Sequence, residues 1–92
     1  MSQRKAYQIK VSGLVQGVGF RFYTKQQADE LQVFGDVRNQ TDGTVLINVV
    51  GEIERLSAFL KWCHIGPESG RVDQLVYNEV ELFLADLFLI VR

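Results

Sequence analysis

Gly13-Leu14-Val15-Gln16-Gly17-Val18-Gly19-Phe20-Arg21 lies between a stretch that alternates and a stretch that repeats every three or four residues, and the rest of the chain is read outward from it. Before it, Tyr7, Ile9 and Val11 alternate with Gln8, Lys10 and Ser12, the pattern of a strand with one buried face. After it, Phe20, Thr24, Ala28 and Leu31 mark an amphipathic helix over Phe20 to Gln32, with Lys25, Gln26, Asp29 and Glu30 on its outer face. A glycine-spaced loop between strand and helix can turn successive backbone N–H groups into one concavity that favours an anion. The helix start adds free N–H groups and the positive end of its dipole. Arg21, in the first turn, can bring a planar guanidinium to the same point and hold two oxygens of a phosphate at once. Three glycines in seven residues also suit a tight turn with no ligand. The loop has neither the Lys-Ser/Thr ending of a Walker loop nor the glycine spacing of a dinucleotide fingerprint.

Downstream, Phe34 to Gln40 reads as a second strand and Thr44 to Gly51 as a third, with Val45, Ile47 and Val49 on one face. Gln40-Thr41-Asp42-Gly43 is a turn in which Gly43 is free to take a positive φ. Ile53, Leu56, Phe59, Leu60 and Cys63 mark a second helix, stopped by Gly66-Pro67 in the expected order of glycine cap and then proline. Val72 to Tyr77 is a fourth strand with less regular alternation, and Leu87 to Val91 a fifth. This order predicts an α+β fold, a ferredoxin-like split βαβ sandwich: an antiparallel sheet with two helices on one face, residues 1–92 forming one domain. Such a fold hosts many functions and says little about activity by itself.

Composition excludes several classes. With a net charge of −1 and a pI of about 5.7, the chain lacks the basic excess of a domain that binds nucleic acid through phosphate neutralisation. An RNA-recognition module on this fold would need aromatics on its central strands, and Thr44 to Val50 contains none. No Cys-x-x-Cys pair is present for a metal-carrying ferredoxin-like domain. The single cysteine, Cys63, rules out an internal disulfide and falls at the apolar spacing of the second helix, where a buried, inert thiol is expected. His64 has no second ligand at a useful spacing, and Asp42 and Asp73 read as turn and surface residues, so neither metal nor cofactor is expected. No secretory apolar core follows Met1, since Ser2 to Lys5 are polar, and a cytoplasmic protein is expected. The longest apolar run, Leu82 to Val91, contains Asp86 and is too short to span a bilayer as a helix, so no membrane association is expected.

Gly35-Asp36-Val37-Arg38-Asn39-Gln40-Thr41-Asp42-Gly43, followed by Thr44-Val45, completes a second motif. Together the two segments resemble the acylphosphatase family, with its Gly-x-Val-Gln-Gly-Val-x-Phe-Arg and its Gly-aromatic-x-x-Asn-x-x-x-Gly-x-Val. The resemblance runs from about Tyr7 through Val72, and Phe88 and Ile90 echo the family's last strand. It implies hydrolysis of the carboxyl-phosphate bond of acyl phosphates by in-line attack of water. Arg21 and Asn39 would be catalytic, Arg21 holding the phosphoryl oxygens and Asn39 orienting the water. Val15, Gln16, Gly17, Val18, Gly19 and Phe20 would bind substrate through their amides. The leaving carboxylate is already a stable anion and needs no general acid, so a chain poor in histidine can still be such a hydrolase. Inorganic phosphate is then expected as a product inhibitor.

Arg38 reads as a solvated strand residue rather than a second anion ligand. The alternative is a non-catalytic or accessory acylphosphatase-like domain, such as the one that opens the hydrogenase-maturation carbamoyltransferases. The chain's own start and closing strand favour the free-standing enzyme. Two departures from the family pattern stand out. Leu14 replaces a frequent basic residue, and Asp36 a usual aromatic. Val80-Glu81-Leu82-Phe83-Leu84 is expected to pack on the sheet edge, with a dimer contact as the alternative to a monomer.

Overall fold

In the computed structural model, which describes residues 3–92, the chain runs β1 (Arg4–Leu14), α1 (Phe20–Leu31), β2 (Phe34–Asn39), β3 (Val45–Glu52), α2 (Ile53–Ile65), β4 (Arg71–Val80) and β5 (Phe88–Val91). The strands form one sheet in the order β4-β1-β3-β2-β5. Ile9 lies opposite Ile47, and Ile47 opposite Val37, so the three central strands present one fully buried row. Both helices cover that face: Phe20, Thr24 and Ala28 of α1 and Leu56, Phe59 and Cys63 of α2 are buried. Phe59 meets Phe88 of β5 edge-on with centroids 6.1 Å apart, which ties α2 to the far edge of the sheet. Burial also pushes the Cys63 thiol's pKa well up, in keeping with an inert side chain.

The expected α+β split βαβ order is present, with one correction to the sheet. β1, β3, β2 and β4 pair antiparallel, but β5 runs parallel to β2, so the sheet is mixed. Periodicity reveals which face of a strand is buried, not which neighbour it pairs with or in which direction. The other differences are at element ends. Gln32, expected inside the first helix, takes a left-handed conformation (φ 56°) and closes it. Gly66 closes α2 at φ 71°, donating its N–H to Trp62 O at 2.8 Å.

β4 extends beyond the expected Val72 to Tyr77, and its irregular alternation follows from its edge position, where most of its side chains reach solvent. The chain must then cross from one sheet edge to the other, four strand spacings or about 19 Å. Residues 81–87 make that crossing over the face without helices: Phe83 lies beside Gln8, Asn48 and Asp36, while Leu82 and Leu84 point into solvent. The apolar segment therefore lies across the open face and not along the edge. That face is otherwise polar at its centre, where Gln8 donates to Asn48 Oδ1 (3.2 Å) and Asn48 donates to Asp36 Oδ1 (3.1 Å).

Candidate active site

β1 ends at Leu14 and α1 begins at Phe20, and two of the five residues between them need backbone angles that a side chain resists. Gly17 (φ 75°) and Gly19 (φ 76°) are both left-handed, and Gly19 is the residue preceding the helix. A residue at that position usually satisfies the first helical N–H groups with its side chain. Here no side chain does so, and no acidic residue occupies the first turn. Among the described residues, no N–H of residues 15–19 donates to another backbone group or to a side chain. The loop thus presents a run of free donors at the positive end of the α1 dipole.

Arg21 stands in this first turn, and its Nη1 donates to Val91 O of β5 at 3.1 Å. The bond depends on the parallel pairing of β5 with β2, which brings Val91 beside Arg38 and carries the end of β5 to the end of β2. Asn39, the last residue of β2, is exposed there, and its carboxamide has no hydrogen-bond partner among the described residues. A cavity of about 650 Å³ brings Arg21 and Asn39 together with Gly17 and Gly19 over the buried Val15 and Phe20. β5 contributes Ile90, and Arg92 and Phe22 complete the wall. Two arginines and no aspartate or glutamate are among its lining residues, a balance that favours an anion.

Two of the residues expected to bind substrate do not line this cavity. The Gln16 side chain turns away and donates from Nε2 to Gln40 O (2.8 Å) and Thr44 O (2.9 Å). It fastens the glycine loop to the β2–β3 turn directly after Asn39. Val18 is half-buried against the core, and its carbonyl accepts from Ser69 Oγ at 2.7 Å. The turn itself is closed by Thr44, whose N–H and hydroxyl both donate to Asp42 Oδ1 at 3.0 and 2.6 Å. These bonds from Thr44, with Lys10 nearby, hold the Asp42 carboxyl down to a pKa of about 2.

Arg38 is paired with Asp36 at 3.5 Å on the helix-free face, away from the cavity. Neither Leu14 nor Asp36 lines the cavity, so the two departures from the family pattern leave its walls unchanged. Arg92, Ile90 and Phe22 were not among the residues expected at the site. Only the hydrophobic spacing of the last strand hinted at Ile90, and no pattern marks a lone arginine after a strand.

Fold and cavity together define a small α+β domain with a cavity at the end of its sheet lined by a glycine loop and two arginines. The acylphosphatase family model matches residues 7–84. An acylphosphatase of a Nocardioides species is 47% identical over 72 residues, which cover 78% of this chain and 73% of that one. The solved acylphosphatase of Bacillus subtilis superposes with a TM-score of 0.93 at 33% identity, covering 98% of this chain and all of that one. Full-length HypF contains a similar domain: TM-score 0.88, 30% identity, 100% of this chain but 12% of that one. The chain belongs to the acylphosphatase family. Its activity is hydrolysis of the carboxyl-phosphate bond of acyl phosphates. No helix among the described residues is long and apolar enough to cross a membrane.

Proposed function

We propose that Arg21 and Asn39 carry this hydrolysis, with the backbone of residues 15–20 as the phosphate cradle and residues 1–92 acting as one domain. The observation that carries the reading is the pairing of the unpartnered Asn39 carboxamide with Arg21 in one cavity that the glycine loop also lines and that no aspartate or glutamate lines. The phosphoryl oxygens accept hydrogen bonds from the loop amides and from the Arg21 donors not engaged by Val91. Asn39 Oδ1 accepts a hydrogen bond from a water and so aims the water's lone pair at phosphorus, opposite the acyl oxygen. A bond forms between water oxygen and phosphorus as the bond between phosphorus and the acyl oxygen breaks. The carboxylate leaves with the bonding pair, and the two water protons pass to the phosphate product and its solvent. Arg21 and the amides act through charge, being in place before the transition state forms. Inorganic phosphate fits the same cradle and competes with substrate. The polar centre of the open sheet face supports a monomer, and a cytoplasmic location is part of the same proposal.

The test is hydrolysis of benzoyl phosphate beside p-nitrophenyl phosphate, each with and without a chelator. Turnover of the acyl phosphate alone, unchanged by chelation, is expected, because no group of three or more His, Cys, Asp or Glu residues is placed to hold a metal among the described residues. Phosphate binding without turnover would instead support the accessory-domain reading.

A further inference from the structure

The cavity is much larger than a phosphate group needs. Its volume of about 650 Å³ lies in the range of sites that enclose whole small molecules. If the phosphoryl group sits on the loop amides and Arg21, the acyl part must project past the residues that the phosphate leaves free. These are Ile90, Arg92 and Phe22. Phe22 follows Arg21 on α1 and leaves 61% of its surface in solvent, a large apolar area beside a polar site. A lone exposed phenylalanine needs no explanation in general. This one forms part of the cavity wall, and its ring is braced edge-on by Tyr23, with centroids 5.2 Å apart and an interplanar angle of 83°. A braced ring offers contact area with little side-chain freedom left to lose on binding.

We propose that Phe22 is a specificity-determining residue that favours acyl phosphates with apolar, especially aromatic, acyl groups. The proposal rests on the phosphate placement above and adds the acyl end to it. Phe22 touches the acyl group and not the reacting phosphorus, so it contributes equally to ground state and transition state. Its loss therefore raises KM and leaves kcat alone.

The experiment measures kcat and KM for benzoyl phosphate and acetyl phosphate in the wild type, Phe22→Ala and Phe22→Tyr. Phe22→Ala is expected to lower kcat/KM for benzoyl phosphate by about tenfold, through KM, while acetyl phosphate changes by less than about twofold. Phe22→Tyr keeps the ring and restores the preference. Equal losses on both substrates, a loss through kcat, or no loss at all would overturn the proposal. Calorimetric binding of phenacylphosphonate and acetonylphosphonate, whose P–C bonds resist hydrolysis, separates it from the reading it rests on. If the wild type hydrolyses neither substrate but prefers the phenyl compound, and Phe22→Ala erases that preference, the subsite stands and the hydrolytic assignment fails. If binding shows no such preference, the subsite falls.

Discussion

Replacing Arg21 by alanine tests the cradle most directly. One Nη1–H of its guanidinium is engaged by Val91 O at 3.1 Å. A guanidinium has five donors in a planar fork, so enough remain for a bidentate grip on phosphate. Charge-assisted hydrogen bonds are worth about 1.5–3 kcal/mol each, so two of them amount to about 3–6 kcal/mol. At about 1.36 kcal/mol per factor of ten, Arg21→Ala should lower kcat/KM by about 10² to 10⁴. Phosphate makes the same bonds as a ground-state anion, so its inhibition constant should rise by at least about tenfold. Losing the Val91 bond should lower stability by about 1 kcal/mol, leaving the protein folded. Arg21→Lys keeps the charge without the fork and should fall between the two. The assay is steady-state hydrolysis of benzoyl phosphate with phosphate as competitor, beside thermal melts. If folded Arg21→Ala is inhibited by phosphate as strongly as wild type, the anion is held elsewhere and the reasoning fails.

Asn39→Ala should lower kcat by about 10² or more while phosphate inhibition stays near wild type, because positioning water matters mainly in the transition state; parallel losses would make Asn39 a binding residue. Gln16→Leu removes two bonds, to Gln40 O and Thr44 O, and should reduce stability by about 1–2 kcal/mol and kcat/KM by about tenfold through misplacement of Asn39. A variant that melts lower yet turns over normally would separate the loop fastening from catalysis. The Asp42 carboxyl should titrate near 2 by NMR in the wild type, below its ordinary 3.8, and nearer the ordinary value in Thr44→Val. Because the folded-state pKa is depressed, the turn's contribution to stability is present above pH 3.8 and is lost as pH falls through about 2.

Period and punctuation carried most of the fold. Ile9, Val37 and Ile47 appear as alternating apolar positions before they appear as one buried row, and Gly66-Pro67 ends α2 where the sequence suggests. Alternation says nothing about pairing direction, however. Residues 80–84 are apolar enough to suggest edge packing, but a connection that must cross the whole sheet turns alternate residues toward it and away from it. The candidate site was legible to the extent that its residues lie in continuous motifs. Arg21 and Asn39, eighteen positions apart in sequence, do line one cavity. Gln16 belongs to the first motif, yet its side chain serves the loop's attachment. Arg92 reaches the cavity only through the parallel pairing of β5 and carries no local pattern at all.

The start of α1 shows why a site of this kind can be found from the rules it breaks. A side-chain cap in place of Gly19 would contribute about a few tenths of a kcal/mol. An acidic residue in the first turn would contribute about 0.3–1 kcal/mol more, and a cation there opposes the dipole by a similar amount. This helix lacks both aids and places Arg21 where a cation is disfavoured. The rest of the fold compensates: Phe20 is buried and packs on Trp62 with centroids 5.6 Å apart, and Thr24 Oγ1 donates to Phe20 O at 2.7 Å. Packing beneath the helix thus secures an end whose polar groups are left open above. Natural sequences depart from local consistency mainly where function requires it. An uncapped helix end, a loop of free amides and an arginine against the dipole become mutually consistent once an anion occupies the cavity. In the proposed placement, a bound phosphate would supply the missing cap, meet the dipole with the right sign, and turn the unfavourable arginine into a partner.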